Sequence, residues 1–99
     1  MYRRGKSVAN RHVVLCYVMR KTPDLKVGFS VSKKIGKAVV RNKVKRRLKA
    51  AFAEQLNHIK HNALIIVIAR PGIETLDYTS VKKNLNHVLK KANLFKERS

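Results

Sequence analysis

The fold is decided by residues 27–52, VGFSVSKKIGKAVVRNKVKRRLKAAF, where a repeat of two residues changes to a helical repeat. The first part predicts a strand from Leu25 to Lys33 with one face in the core and one flat, polar face. The core set is Val27, Phe29 and Val31, and the opposite set is Gly28, Ser30, Ser32 and Lys34. Gly36 ends this stretch, and the apolar spacing beyond it predicts an amphipathic helix from about Ala38 to about Ile59. Its predicted buried stripe is Val40, Val44, Leu48, Ala51, Phe52, Leu56 and Ile59.

The segments on either side of this stretch complete a small α+β domain. His12 to Arg20 is rich in β-branched residues and predicts a strand, which Pro23 and Asp24 follow with turn chemistry. The run ALIIVIA at residues 63–69 predicts a strand buried on both faces, so that strand, helix and strand form a β-α-β unit. Asp77 is the predicted N-cap of a last helix. Its buried stripe is predicted to be Val81, Leu85, Val88, Leu89 and Ala92. A small sheet with helices on one face is the expected architecture.

The charge of the chain points to a polyanionic partner. The 99 residues suit one domain, 1–99, and carry 24 Lys and Arg against 5 Asp and Glu, a formal net charge of +19. A hydrophobic content of 44% predicts a folded core rather than a disordered basic tail. The lone Cys16 and the lack of a signal-like start predict a reduced, cytoplasmic setting. The longest apolar run, residues 63–69, is far shorter than the roughly 20 residues that a membrane-spanning helix needs.

The predicted helix carries the strongest functional signal. Nine of the seventeen residues from Lys33 to Lys49 are Lys or Arg, and no acid occurs between Leu25 and Ala53. A solvated helix face normally mixes charges of both signs, which form favourable pairs one turn apart. Phosphates would relieve the repulsion here, because guanidinium groups at Arg41, Arg46 and Arg47 match their geometry. A nucleic-acid backbone is the expected ligand.

No residue pattern indicates catalysis by the protein itself. Metal-assisted cleavage needs clustered carboxylates or histidines, and the five acids are dispersed along the chain. His58 and His61 are expected to interact with the end of the long helix rather than to bind a metal. Cys16 is expected to be an inert residue of an apolar strand, and Tyr17 and Phe29 to pack in the core. We therefore expect no catalytic and no metal site in the chain.

Four segments resemble the protein subunit of bacterial ribonuclease P. They are GKSVANR at residues 5–11, VGFSVSKKIG at 27–36, the RN-x-x-KR-x-x-[RK] pattern that begins at Arg41, and IIVIARP ending at Pro71. The pattern at Arg41 directly after SKKIG is the most specific of these. Together the segments cover nearly the whole chain.

The resemblance implies a two-layer α/β sandwich of the ribosomal protein S5 domain 2 type, in the order αβββαβα. It also implies a left-handed β-α-β crossover, whereas the general rule favours a right-handed one. In that family the protein is the cofactor of a catalytic RNA that uses Mg²⁺ to remove the 5′ leader from precursor tRNA. The partners implied are therefore ribonuclease P RNA and precursor tRNA.

The resemblance also implies two sets of site residues. Those for the RNA subunit are Lys33, Lys34, Lys37, Arg41, Asn42, Lys45, Arg46 and Lys49. Those for the precursor-tRNA leader are Tyr2, Val14, Cys16, Ser30, Ser32 and Lys34.

Three positions depart from the family pattern. The family has an N-terminal helix with two aromatic residues in the leader cleft, and here only Tyr2 can match the second, so we expect that helix to be largely missing. Cys16 stands where the family usually has a cleft tyrosine. Lys49 stands where arginine is common, which keeps the charge and loses the bidentate fork. Leader binding is expected to be weakened by the first two changes.

Three other classes of protein would share part of this pattern. A ribosomal protein that binds rRNA as a structural domain would share the charge, size and fold type but would not need the flat polar strand face. A DNA-binding module with a recognition helix would lack the preceding polar-faced strand. A membrane-active basic peptide would not distribute its apolar residues to build a core. No membrane and no small-molecule substrate is expected as a partner.

Overall fold

The computed structural model describes residues 5–96, which form a four-stranded sheet and two helices. The strands are β1 (Lys6–Ala9), β2 (Val13–Met19), β3 (Lys26–Ser30) and β4 (Ala63–Ala69), and the helices are α1 (Ala38–Glu54) and α2 (Tyr78–Lys91). Short 3₁₀ turns lie at Lys33–Ile35, Leu56–His58 and Ile73–Thr75. The expected α+β architecture is confirmed, and none of the described helices is long and apolar enough to cross a membrane.

The strands lie in the order β1-β2-β4-β3. β3 and β4 are parallel neighbours joined through α1, which confirms the predicted β-α-β unit, while β1 and β2 add antiparallel pairs. The residue pattern alone did not locate β1. Its sequence KSVA is four residues long and half polar, and it becomes a strand by pairing with β2.

The core lies between one face of the sheet and the two helices. Leu15 of β2 and Ile65 of β4 have no exposed surface, and neither have Leu48 of α1 and Leu85 of α2. The predicted stripe of α2 is buried throughout, and Asp77 caps that helix by accepting a hydrogen bond from Ser80 N at 2.8 Å.

Aromatic packing closes the core beside β3. The rings of Phe29 and Phe52 meet edge to face at a centroid distance of 6.1 Å. Tyr17 is partly buried and packs against the hydrophobic core. The expectation that Tyr17 and Phe29 belong to the core is confirmed.

α1 is shorter than its apolar spacing predicts. It ends at Glu54, and Gln55 leaves helical geometry with φ −100° and ψ 0°. Leu56, predicted in the buried stripe, is 43% exposed on the following 3₁₀ turn. Ile59 is buried as predicted, but through a β-bridge to Phe95 rather than as part of the helix. The helical spacing of these two residues is thus coincidental, because contacts with the distant C-terminal segment determine the path of the chain.

The predictions for β3 and β4 also need correction. β4 is not buried on both faces: Ile66 is 42% exposed, and Leu64 and Ile68 are partly exposed, because both helices cover the opposite face. β3 ends at Ser30, so Ser32 lies beyond the strand at the start of a 3₁₀ turn. In the part of the chain that the structure describes, one face of the sheet is therefore not covered by a helix.

Candidate nucleic-acid interface

The basic surface on α1 and the turn before it is exposed, as the sequence predicts. Its members Lys33, Lys34, Lys37, Asn42, Lys45, Arg46 and Lys49 are all exposed, and Arg41 is half-buried. Within residues 5–96 the ion pairs are Arg20–Asp24 at 3.4 Å and Lys82–Glu54 at 2.6 Å, and neither involves this set. The repulsion among these cations therefore has no relief from a described acid, and a polyanion would supply it.

Arg41 holds the turn that leads into α1. Its Nε donates a hydrogen bond to the carbonyl oxygen of Gly36 at 3.2 Å. Gly36 adopts φ +153°, and a Cβ there would lie 3.2 Å from the side chain of Val40, so the turn favours glycine. Arg41 therefore combines a structural contact with further guanidinium N–H groups that bond to no residue between 5 and 96.

Arg47 is not part of the exposed cationic surface, contrary to the expectation that its guanidinium group serves a phosphate. It is half-buried, and its Nη1 donates to the carbonyl oxygen of Leu76 at 2.7 Å. This contact joins α1 to the segment that leads into α2. The sequence gives no signal for it, because Leu76 is 29 residues away.

The open face of the sheet is lined by cross-strand rows. In one row Cys16 lies beside Ser7 and Ile66, and Ile66 lies beside Gly28. In the next row Val14 and Ser30 flank Ile68. The first row places Cys16 on the face away from the core, and both rows bring the predicted leader residues Val14, Cys16 and Ser30 onto one face.

Ile66 and Ile68 are the residues of this face that sequence reasoning missed. They occupy the centre of each row because β4 lies between β2 and β3. The uniformly apolar run of β4 hides which residues face the core. The alternation in β3 predicts that one face of the sheet is open, but it does not give the register of β4, which decides that Ile66 and Ile68 lie on that face.

A shallow groove of about 360 Å³ runs over the first row. The residues that line it are Gly5, Lys6, Ser7, Cys16, Tyr17, Val18, Leu64 and Ile66. Apart from Lys6, these residues are small, aliphatic or aromatic, which suits the face of a base or another flat group.

Two predicted leader residues lie elsewhere. Ser32 and Lys34 are exposed on the 3₁₀ turn between β3 and α1, beside the face rather than on it. Tyr2 lies outside the described residues.

The histidines after α1 make a local contact. His61 Nε2 lies 3.2 Å from the carbonyl oxygen of Leu56, so it meets the 3₁₀ turn that follows the helix rather than the helix itself. In the part of the chain that the structure describes, no three His, Cys, Asp or Glu side chains come together in an arrangement that could hold a metal ion.

A helix whose basic surface has no acidic partner within residues 5–96, beside an open, largely apolar sheet face, defines a small α+β protein of the class that binds polyanions. Comparison with known families specifies it further: the family model described as Ribonuclease P matches residues 1–93. The chain therefore belongs to the ribonuclease P protein family, whose members are subunits of the ribonuclease P endonuclease. The resemblance seen in the four sequence segments is confirmed.

Curated relatives and solved structures agree with this assignment. The chain is 46% identical over 94 residues to the ribonuclease P protein component of Streptococcus agalactiae, covering 95% of this chain and 85% of that protein. It is 47% identical over 93 residues to the same component of Streptococcus thermophilus, covering 94% and 83%.

Among solved structures, the RNase P protein of Staphylococcus aureus superposes with a TM-score of 0.86 at 41% identity, covering 96% of this chain and 87% of that one. The protein from Thermotoga maritima gives 0.81 at 29% identity, covering 91% and 86%.

Proposed function

We propose that the protein is the cofactor of a catalytic ribonuclease P RNA and uses two surfaces, one for that RNA and one for the 5′ leader of precursor tRNA. The observation that carries this proposal is the exposed basic surface of α1, which has no acidic partner within residues 5–96 and lies next to an open sheet face. The endonucleolytic removal of the leader then depends on the assembled complex.

The RNA subunit is assigned to the basic surface. Its residues are Lys33, Lys34, Lys37, Arg41, Asn42, Lys45, Arg46 and Lys49. Their exposure supports the assignment, since charged groups that contact phosphates must reach solvent in the free protein. Arg41 contributes in two ways, because it also fixes the turn at Gly36.

The leader is assigned to the open sheet face. Val14 and Cys16 lie on one side of the central strand and Ser30 lies on the other, and the central Ile66 and Ile68 extend the surface on which bases could stack. Ser32 and Lys34 are assigned to its rim, where Lys34 can contact the leader backbone. Tyr2 keeps its proposed role at the leader on the resemblance alone.

Further parts of the assignment rest on the family resemblance. We propose that hydrolysis uses Mg²⁺ bound mainly by the RNA subunit, that the protein acts in the cytoplasm, and that residues 1–99 form one RNA-binding domain. We also assign the fold to the ribosomal protein S5 domain 2 type with a left-handed crossover from β3 through α1 to β4. The parallel pairing of β3 and β4 supports the presence of the crossover itself.

The test of the basic surface uses the double variant Arg46→Ala/Lys49→Ala, assembled with ribonuclease P RNA. Both side chains are exposed on α1, so the free energy of unfolding should change by less than about 1 kcal/mol. Losing two phosphate contacts should reduce the salt dependence of binding, measured as the slope of log K against log salt, by about 1.4 to 1.8. Filter binding from 50 to 200 mM salt measures it.

A charge-matched control is Lys21→Ala/Lys96→Ala, which removes two exposed cations away from α1. Its slope should stay close to that of the unmodified protein. Equal slopes for the two double variants would contradict the assignment of the RNA subunit to α1. Leader cleavage by the reconstituted complex separates this function from that of an rRNA-binding structural domain, which would give none.

A further inference from the structure

A polar cleft lies between the turn that joins β1 to β2 and the outer side of α2. It has a volume of about 390 Å³ and is lined by Asn10, Arg11, His12, Lys83, Asn84 and His87. None of these residues belongs to the basic surface of α1 or to the open sheet face. Residues 74 positions apart meet here, since Asn10 Nδ2 donates to the carbonyl oxygen of Asn84 at 3.0 Å.

The hydrogen bonds of Asn10 fix the orientation of its amide. Its Oδ1 accepts from the backbone N–H groups of His12 at 3.0 Å and Val13 at 2.9 Å. Its Nδ2 is therefore the donor toward His87 Nδ1, 3.2 Å away. His87 Nδ1 must accept this bond, so the ring carries its proton on Nε2. His87 thus offers an N–H donor at the exposed side of the cleft.

Asn84 is oriented in the same way. Its Nδ2 donates to the carbonyl oxygen of Ser80 at 2.8 Å, which leaves Oδ1 to accept from His12 Nδ1 at 3.4 Å. The cleft is therefore a preorganised polar wall, in which both amides and both imidazoles have defined roles.

Cations outnumber acids around the cleft, although Asp77 lies close enough to Lys83 for a favourable charge interaction. Arg11 and Lys83 are exposed at its rim, and neither forms an ion pair with any described acid. Arg70 donates to the carbonyl oxygen of Asn10 at 3.1 Å, and Lys91 donates to that of Ala9 at 3.0 Å, so two more cations lie behind the turn. The nearby acid Glu74 accepts a hydrogen bond from Gly72 N at 2.8 Å.

We propose that this cleft is a second phosphodiester-binding site, in which Arg11, Lys83 and the Nε2–H of His87 contact the backbone of an RNA. The inference rests on the proposed function, since it assigns a further contact to the same complex. A phosphodiester fits because the groups at the rim are donors and cations, while the polar atoms of the wall are already paired with one another.

This cleft and the turn that carries Lys33 and Lys34 lie at the same end of the sheet, where β3 and β4 end. Val13, which follows the β1–β2 turn, pairs with Ala69 at the end of β4, and Ser30 at the end of β3 pairs with Ile68. Across the strands at that end, the two sites are therefore two to three strand spacings apart, about 10 to 15 Å. One RNA molecule could contact both.

The test compares Arg11→Ala/Lys83→Ala with the control Lys21→Ala/Lys96→Ala. Binding is measured against salt in two arms, to ribonuclease P RNA and, with the assembled holoenzyme, to precursor tRNA. In one arm the first variant should bind more weakly and lower the slope of log K against log salt by about 1.4 to 1.8, whereas the control should leave it unchanged. The arm that responds identifies the RNA that occupies the cleft.

The fold of the variants is checked through the side-chain amide resonances of Asn10 and Asn84, which report the polar wall. If those resonances are unchanged and both arms give the slope of the control, the cleft does not bind RNA and the proposal is wrong. Failure of the unmodified protein to bind ribonuclease P RNA is a different result, because it contradicts the proposed function itself. His87→Phe removes the Nε2–H donor, and it removes no charge because the imidazole is neutral. It should weaken binding only to the RNA whose arm responds to Arg11→Ala/Lys83→Ala.

Discussion

Neighbouring arginines in the basic block have different roles, although their sequence context is nearly the same. Arg46 is exposed and has no described acidic partner, whereas Arg47 donates to the carbonyl oxygen of Leu76. Arg41 lies between these cases, because it holds Gly36 and still reaches solvent. The helical periodicity predicts which side of α1 is polar, but not which cation is used within the protein. That choice depends on carbonyl groups that other elements bring close.

Glu54 is the acid that connects the two helices. It accepts hydrogen bonds from Lys82 Nζ at 2.6 Å and from the hydroxyl of Tyr78, both at the start of α2. These two bonds hold the pKa of Glu54 below its usual value, and the bond to Glu54 raises the pKa of Tyr78. The contact therefore favours the charged carboxylate in the folded protein.

This contact predicts a pH dependence of stability. Because the pKa of Glu54 is lower in the folded state, its contribution is present above the pKa of the unfolded chain and is lost as pH falls through the folded value. The urea midpoint should therefore fall more between pH 7 and pH 3 for the unmodified protein than for Glu54→Gln. Hydrogen bonds from Ser80 also lower the pKa of Asp77. Because Asp77 is present in both proteins, its contribution cancels in the comparison. Equal falls would contradict the assigned role of Glu54.

At the scale of the elements, the sequence predicts what local periodicity decides. The core face of β3, the stripe of α2 and its cap at Asp77 follow from spacing and propensity, and the structure confirms them. β1 depends on pairing with the next strand, β2, and the end of α1 depends on a contact with Phe95, far along the chain. The same holds for the open face, where the exposure of Ile66 depends on which side the helices pack. No single segment contains that information.

The observed end of α1 can be tested by truncating two leucines of the predicted stripe. Leu48 has no exposed surface, so Leu48→Ala should lower the free energy of unfolding by about 2 to 5 kcal/mol. Leu56 is 43% exposed on the 3₁₀ turn, so Leu56→Ala should cost less than about 1 kcal/mol. Urea unfolding measures both. Similar losses of unfolding free energy in the two variants would show that Leu56 packs in the core. That result would require α1 to continue to Ile59.

At the scale of the whole molecule, the two proposed surfaces are built by different layers. The basic surface belongs to α1 and its preceding turn, in the helical layer, and the leader surface is the face of the sheet that the helices leave uncovered. The sequence predicts both surfaces, through a basic block without acids between Leu25 and Ala53 and through an alternating strand. The sequence does not predict whether a change in one surface leaves binding at the other unaffected, since Ser32 and Lys34 lie at the junction between the two surfaces.

This separation predicts that leader binding can be weakened alone. Ser30 lies on the open face in the row of Val14 and Ile68, so Ser30→Phe should fill the space where a single strand would lie. Displacing one stacked base costs about 1 to 3 kcal/mol, which would reduce the preference of the holoenzyme for precursor over mature tRNA by roughly 5- to 150-fold. Competition between leader-bearing and leaderless tRNA measures this preference.

The affinity for ribonuclease P RNA should not change in Ser30→Phe, because α1 and its cations are untouched. Ser32→Phe, at the exposed start of the 3₁₀ turn, is the matched comparison and should have the smaller effect on leader preference, since Ser32 lies beyond the strand.

Arg46→Ala/Lys49→Ala should show the converse result, with weaker RNA binding and an unchanged leader preference once the complex is assembled. If Ser30→Phe instead lowered the affinity for both RNAs equally, the sheet face and the helix would form one continuous surface, and the division between them would be wrong.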